Sequence, residues 1–189
     1  MNRRSLFVAT FAVAAAAGIV FLSIPFISSL SITAKQENDT SSVCDVSNLA
    51  PGAVKKCGWA MVYRRTPLDK SAIRQFEYLL ADAHSNESKQ PESARNQWRS
   101  ESQDFFVFKA WAPVRGCAVE LKNPGVPLGS ESVEKAAILT LPYFTEPCEG
   151  RTWDTSGRLY RRSNYPMEKN LIVPKVRWVS EFKVLIYGG

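Results

Sequence analysis

Trp153-Asp154-Thr155-Ser156-Gly157-Arg158, with Glu146-Pro147-Cys148-Glu149-Gly150 just before it, decides how this 189-residue chain is read. Its counterpart upstream is Ala112-Pro113-Val114-Arg115-Gly116-Cys117. Each of the two loop stretches holds one proline, one glycine and one cysteine. Alanine and valine have no donor atom for a metal, and the carboxylates of Glu146 and Glu149 are hard oxygen donors. The whole chain has one histidine, His84, set among Asp82, Ala83, Ser85 and Asn86, and it reads as a solvated loop residue.

Taken together, the two stretches resemble the cluster-binding loops of the Rieske iron–sulfur proteins, in their respiratory branch. A Rieske centre holds one iron with two cysteine thiolates and the other with two imidazoles. The family's loops read Cys-Thr-His-Leu-Gly-Cys and Cys-Pro-Cys-His-Gly-Ser. On this chain the resemblance places Ala112 and Val114 at the first loop's ligand positions and Glu146 and Glu149 at the second's. It also implies a disulfide between Cys117 and Cys148. With all four ligands replaced and a single histidine, the expectation is that the chain has no 2Fe-2S cofactor, no catalytic residue and no bound metal.

The resemblance runs nearly the length of the chain. Arg3-Arg4-Ser5-Leu6-Phe7 before an apolar run is similar to the family's twin-arginine anchor, and Val46-Ser47-Asn48-Leu49-Ala50-Pro51-Gly52 to the first hairpin of its head. Arg64-Arg65-Thr66-Pro67, Gln90-Pro91-Glu92 and Trp98-Arg99-Ser100 resemble the bacterial respiratory branch, as Asn170-Leu171-Ile172-Val173-Pro174 resembles the closing strands. Departures gather around the loops. Arg115 replaces a leucine at the docking tip and Arg151 a serine. Trp153 stands where tyrosine or phenylalanine is usual, and residues 161–168 form a longer, less proline-rich segment. Arg115, Glu149 and Arg151 are therefore expected to mark an altered docking tip.

The fold implied is an all-β, Rieske-type antiparallel head with one surface helix, on a single N-terminal transmembrane helix. Its expected divisions are an anchor over residues 1–30, a linker over 31–42 and a head over 43–189. The head would divide into a base fold (43–110 and 155–189) and a degenerate cluster-binding subdomain (111–154). The uncharged run from Leu6 to Ile24 is long enough to cross a bilayer. Arg3 and Arg4 favour a cytoplasmic N-terminus, with a cleaved signal peptide as the rival. The expected location is the bacterial inner membrane, with the head in the periplasm, where four cysteines can form two disulfides. Cys44 and Cys57 flank the Pro51-Gly52 turn at similar distances, as cross-strand partners in a hairpin.

Net charge is +6, but the basic residues are scattered without a stripe of interleaved aromatics, which argues against nucleic acid. Thr66 is expected as a helix N-cap, with Pro67 in the first turn and Asp69 at the positive end. Ala72, Ile73, Phe76, Leu79 and Leu80 then recur at helical spacing. Asp82–Arg99 reads as a polar surface loop and Phe105–Ala110 as a buried strand. Val176, Trp178 and Phe182 alternate with charged residues as in half-buried strands.

These features imply a membrane-anchored Rieske-like subunit of a respiratory complex, acting in structure, assembly or regulation without a cluster. The complex is either a cytochrome bc complex or a terminal oxidase, so its partners are cytochrome b, cytochrome c-type or oxidase subunits. Two other readings remain. One is the electron-transferring iron–sulfur subunit of ubiquinol–cytochrome c reductase. The other is a redox switch at Cys117–Cys148, or a carboxylate metal site at Glu146 and Glu149 with Asp154 nearby. Against the metal site stands a plainer assignment, in which Glu149 pairs with Arg115 or Arg151 and Glu146 faces solvent.

Overall fold

Phe105, Phe106, Val107 and Phe108 are buried without a polar interruption, and that run places the middle of the molecule. In a computed structural model that describes residues 41–123, 140–161 and 169–188, these residues form β4 (Phe105–Lys109). Side chains alternate across a strand. Phe105 and Val107 enter a core with Cys44, Val62, Val184 and Ile186, while Phe106 and Phe108 enter another with Tyr63, Phe144, Trp153 and Leu171. A strand covered on both faces has no need of polar residues, which explains the continuous apolar run.

Three antiparallel, three-stranded sheets surround these cores. The central one is β2 (Val54–Cys57), β3 (Ala60–Arg64) and β4, in that order. One neighbour is β1 (Ser42–Asp45), β9 (Lys183–Tyr187) and β8 (Lys175–Ser180), ordered β1-β9-β8. The other is β5 (Glu120–Lys122), β6 (Tyr143–Thr145) and β7 (Thr152–Trp153). The described residues are thus mostly β, as expected. Among them no helix is long and apolar enough to cross a membrane. The anchor expected over residues 1–30, and most of the segment 161–168, lie outside the described residues.

The expected first hairpin is replaced by a different pairing. Val54–Arg64 is itself a hairpin, reversing at Gly58 (φ +62°), and β1 pairs with β9 near the C-terminus. Cys44 and Cys57 are bonded, but across two sheets instead of within one hairpin. Gly58 has the left-handed conformation that a tight reversal needs and that other residues adopt at a cost.

The expected helix is α1 (Pro67–Gln75). Thr66 Oγ1 accepts from the Asp69 N–H while Asp69 accepts from the Thr66 N–H, a reciprocal capping box with proline in the first turn. The helix ends at Phe76, and Leu79 and Leu80 are buried beyond it, through a short 3-10 turn (Glu77–Leu79). The polar stretch Asp82–Arg99 is a loop with one 3-10 turn (Glu92–Ala94), but its end is interior: Trp98 and Arg99 are buried.

Candidate functional site

The two loops at one end of the β5-β6-β7 sheet are built alike. In the first, Ala112 N–H donates to the Cys117 carbonyl (2.8 Å) and Gly116 N–H to the Ala112 carbonyl (3.1 Å). In the second, Glu146 N–H donates to the Arg151 carbonyl (3.2 Å) and Gly150 N–H to the Glu146 carbonyl (3.1 Å). Gly116 and Gly150 share a φ of +68°. An antiparallel bridge between Trp111 and Ala118 closes the first loop, and the β6–β7 pairing closes the second. The loops are therefore equivalent six-residue hairpin tips, with Ala112 and Glu146 at matching places.

Two bonds tie them together, and a third extends one of them within the second loop. Cys117 and Cys148 form a disulfide with Cα atoms 6.4 Å apart. Glu149 pairs with Arg115 of the opposite loop at 3.2 Å, and also with Arg151. Both partners open to Glu149 in the plainer assignment are thus engaged. The remainder of that assignment is corrected: Glu146 does not face solvent but is fully buried. Its carboxylate accepts from the N–H groups of Cys148 (2.7 Å), Glu149 (3.0 and 3.2 Å) and Arg151 (3.1 Å). Arg151 Nη1 lies 3.9 Å away. A buried carboxylate needs this number of donors to offset its lost hydration. Arg151 is itself buried, so Glu146, Arg151, Glu149 and Arg115 form a charged chain running outward to Arg115, which is 65% exposed. Val114 and Trp111 are exposed beside it.

Beneath the tip lies a second polar layer that the sequence did not assign. Asp154 Oδ1 accepts from the N–H groups of Ser156 (2.9 Å) and Arg158 (2.8 Å), and Oδ2 accepts from Arg158 Nε (2.8 Å). Asp154 is thus spent on its own turn and is not shared with Glu146 and Glu149. Arg99 is fully buried and donates to the carbonyls of Ser156 (3.3 Å), Gly157 (2.9 Å) and Leu171 (2.7 Å). Arg65 reaches Ser156 Oγ at 3.2 Å. Burial pulls Arg99 down to about 9 and Arg65 to about 10, with Asp154 opposing both, so each remains charged at neutral pH. Arg65 lies in the Arg64-Arg65-Thr66-Pro67 stretch and Arg99 in Trp98-Arg99-Ser100. Only the number of guanidiniums flanking an Asp-Thr-Ser-Gly turn could have hinted at their role.

Gly157 has a φ of +69°, and a Cβ there would meet Phe106 Cζ at 2.6 Å and Leu171 Cβ at 3.0 Å. Gly157→Ala is expected to destabilise the head by about 2–3 kcal/mol, combining left-handed strain with overpacking. Gly150→Ala, with open space around the added methyl, should cost about 1 kcal/mol. Equal unfolding midpoints for the two variants in denaturant titration would contradict this ranking. Loss of the Cys117–Cys148 bond, by a double serine substitution, is expected to cost about 2–4 kcal/mol in the same titration.

His84 is exposed, with Nδ1 3.4 Å from Glu77 Oε1 on the surface. Among the described residues, Cys117, Glu146 and Cys148 are the group whose donor atoms come close together. Both sulfurs are committed to the disulfide, and the carboxylate to backbone N–H groups.

No family model matches the chain. It is 27% identical over 189 residues to the ubiquinol–cytochrome c reductase iron–sulfur subunit of Allochromatium vinosum, covering 97% of this chain and 87% of the relative. A chain of a hyperthermophilic respiratory Complex III structure aligns over 94% of this chain and 97% of its own length. Its TM-score is 0.44 at 15% identity. The expectation of no 2Fe-2S cofactor is corrected by the first of these: the protein matched almost end to end is an iron–sulfur subunit. The tip residues as they stand do not fit a Rieske cluster. Ala112 and Val114 offer no donor, Glu146 is held by backbone N–H groups and Glu149 by two guanidiniums. Across nearly its whole length, this chain is similar to the respiratory branch of the Rieske iron–sulfur proteins.

Proposed function

We propose that this chain is a membrane-anchored subunit of a respiratory electron-transport complex of the cytochrome bc or terminal oxidase type. It sits in a bacterial inner membrane by one N-terminal span, with the N-terminus cytoplasmic and the head periplasmic. It contributes to the structure, assembly or regulation of that complex, and its tip is a protein-docking surface. Cytochrome b, cytochrome c-type or oxidase subunits are the partners. The observation that supports a docking tip is the charged chain from buried Glu146 to exposed Arg115, with Val114 and Trp111 alongside. It joins the two loops in a second way beyond the disulfide, so the exposed groups are presented on a preorganised surface.

Arg115 is the test residue. An exposed ion pair contributes at most about 1 kcal/mol, so Arg115→Ala should leave head stability nearly unchanged. An arginine at the centre of a docking patch is worth more to binding than to folding. Respiratory subunits are expected to co-purify with the detergent-solubilised wild type and to be depleted with Arg115→Ala. Purification of the wild type free of such subunits would sink the reading.

A second reading, electron transfer as an iron–sulfur subunit, is favoured by the name of the Allochromatium vinosum relative. Iron and acid-labile sulfide analysis, with low-temperature electron paramagnetic resonance, separates the two. A stoichiometric reduced-cluster signal assigned to this chain selects electron transfer.

A further inference from the structure

The outer face of the β1-β9-β8 sheet belongs neither to the tip nor to the cores. On the inner face, Cys44, Val184 and Ile186 are buried, with Val176 and Trp178 packed against them. Alternation sends the other residues outward. Val43, Leu185 and Arg177 form one cross-strand row, Tyr187 and Lys175 a second, and Asp45 and Lys183 a third. Val43 is 68% exposed, and Lys175 lies over the Tyr187 ring at 5.7 Å. An apolar and aromatic centre is thus bordered by three cations, of which Lys183 lies 3.9 Å from Asp45, the one carboxylate in these rows. Glu181, at the β8–β9 turn, lines the cleft on the inner side with Phe105 and Trp178.

We infer that this sheet face docks on the anionic headgroups of the bilayer. The inference rests on the membrane-anchored reading proposed above. Two observations select lipid as the occupant. Long cationic side chains around a small apolar and aromatic centre match a headgroup layer, where the stems bury and the charges meet phosphate. Residues 25–41 alone separate the apolar run ending at Ile24 from Ser42, which opens β1, so the tether leads directly into the strand that bears Val43.

The test uses the full chain in nanodiscs of phosphatidylcholine, with and without phosphatidylglycerol, read by hydrogen–deuterium exchange. Peptides spanning residues 175–187 are expected to exchange at least about fivefold more slowly in the anionic discs. Peptides spanning 54–64 should be unchanged. The triple variant Lys175→Glu, Arg177→Glu, Lys183→Glu should abolish the difference. Equal exchange in both discs overturns the inference, as does slowing that persists in the triple variant. Protection that needs other respiratory subunits and is indifferent to lipid charge also overturns it, in favour of a protein on this face. If the chain does not enter discs, the anchor reading has failed, and flotation with phosphatidylglycerol vesicles decides the docking face separately. Flotation lost in the triple variant upholds it, and no flotation overturns it.

Discussion

Glu146→Ala is expected to lower the unfolding free energy of the head by about 3–5 kcal/mol. The cause is what remains after the carboxylate is gone. The N–H groups of Cys148, Glu149 and Arg151 lose their acceptor inside a closed hairpin tip. The buried Arg151 N–H left unmatched costs about 1–3 kcal/mol, and the part-buried N–H groups of Cys148 and Glu149 cost less because water can reach them. Arg151, buried with a 3.9 Å approach to the same carboxylate, keeps its charge with one partner fewer. Glu146→Gln retains one acceptor oxygen and so should fall between alanine and wild type. Glu149→Gln, which removes the charge facing both exposed Arg115 and buried Arg151 but keeps an acceptor oxygen, should cost about 1–2 kcal/mol. The check is chemical denaturation of the detergent-solubilised chain with both disulfides intact. If Glu146→Ala and Glu149→Gln shift the midpoint equally, Glu146 is not the anchor of its loop.

The same residue shows where sequence reading stops. From residue type alone Glu146 reads as solvent-facing. Its burial follows from three N–H groups converging on one point, a property of the folded loop and not of the residue type. Gly116 and Gly150 were in plain view, and their matched φ values build the loop pair. The helix start at Thr66, Pro67 and Asp69 is equally legible, since its signals lie within one helical turn, while the reciprocal bond from the Thr66 N–H to Asp69 is added by the fold. Strand pairing was not. Nothing local distinguishes β1 paired to β2 from β1 paired to β9, which lies at the far end of the chain. The reversal at Gly58 absorbed the residues that the first pairing required. Phe105–Ala110 reads as a buried strand; Phe105–Phe108 are buried and Lys109 and Ala110 half-buried, and only the fold shows that two different cores bury the run.

Arg99→Ala should be the most damaging single change, on the order of 5 kcal/mol, enough to leave the head largely unfolded. Arg99 stands at the end of a polar loop, with a φ of +50°, and is fully buried. Its guanidinium donates to three carbonyls contributed by two segments, Ser156 and Gly157 from the turn below the tip and Leu171 from the approach to β8. Its Nε also reaches Gln90 Oε1 at 2.9 Å. Alanine would strand these acceptors and open a cavity beneath the Asp154–Arg158 turn. Arg99→Lys keeps the charge but not the planar fork, so it should recover less than half of the loss. The loss should spread to the tip, because the turn that Arg99 holds continues directly from β7, which closes the second loop. Backbone exchange at residues 146–158 in the lysine variant is therefore expected to quicken while the β2–β3 hairpin stays protected. If Arg99→Ala keeps a wild-type unfolding midpoint, the buried arginine is dispensable, and the tip must be held by the disulfide and Glu146 alone.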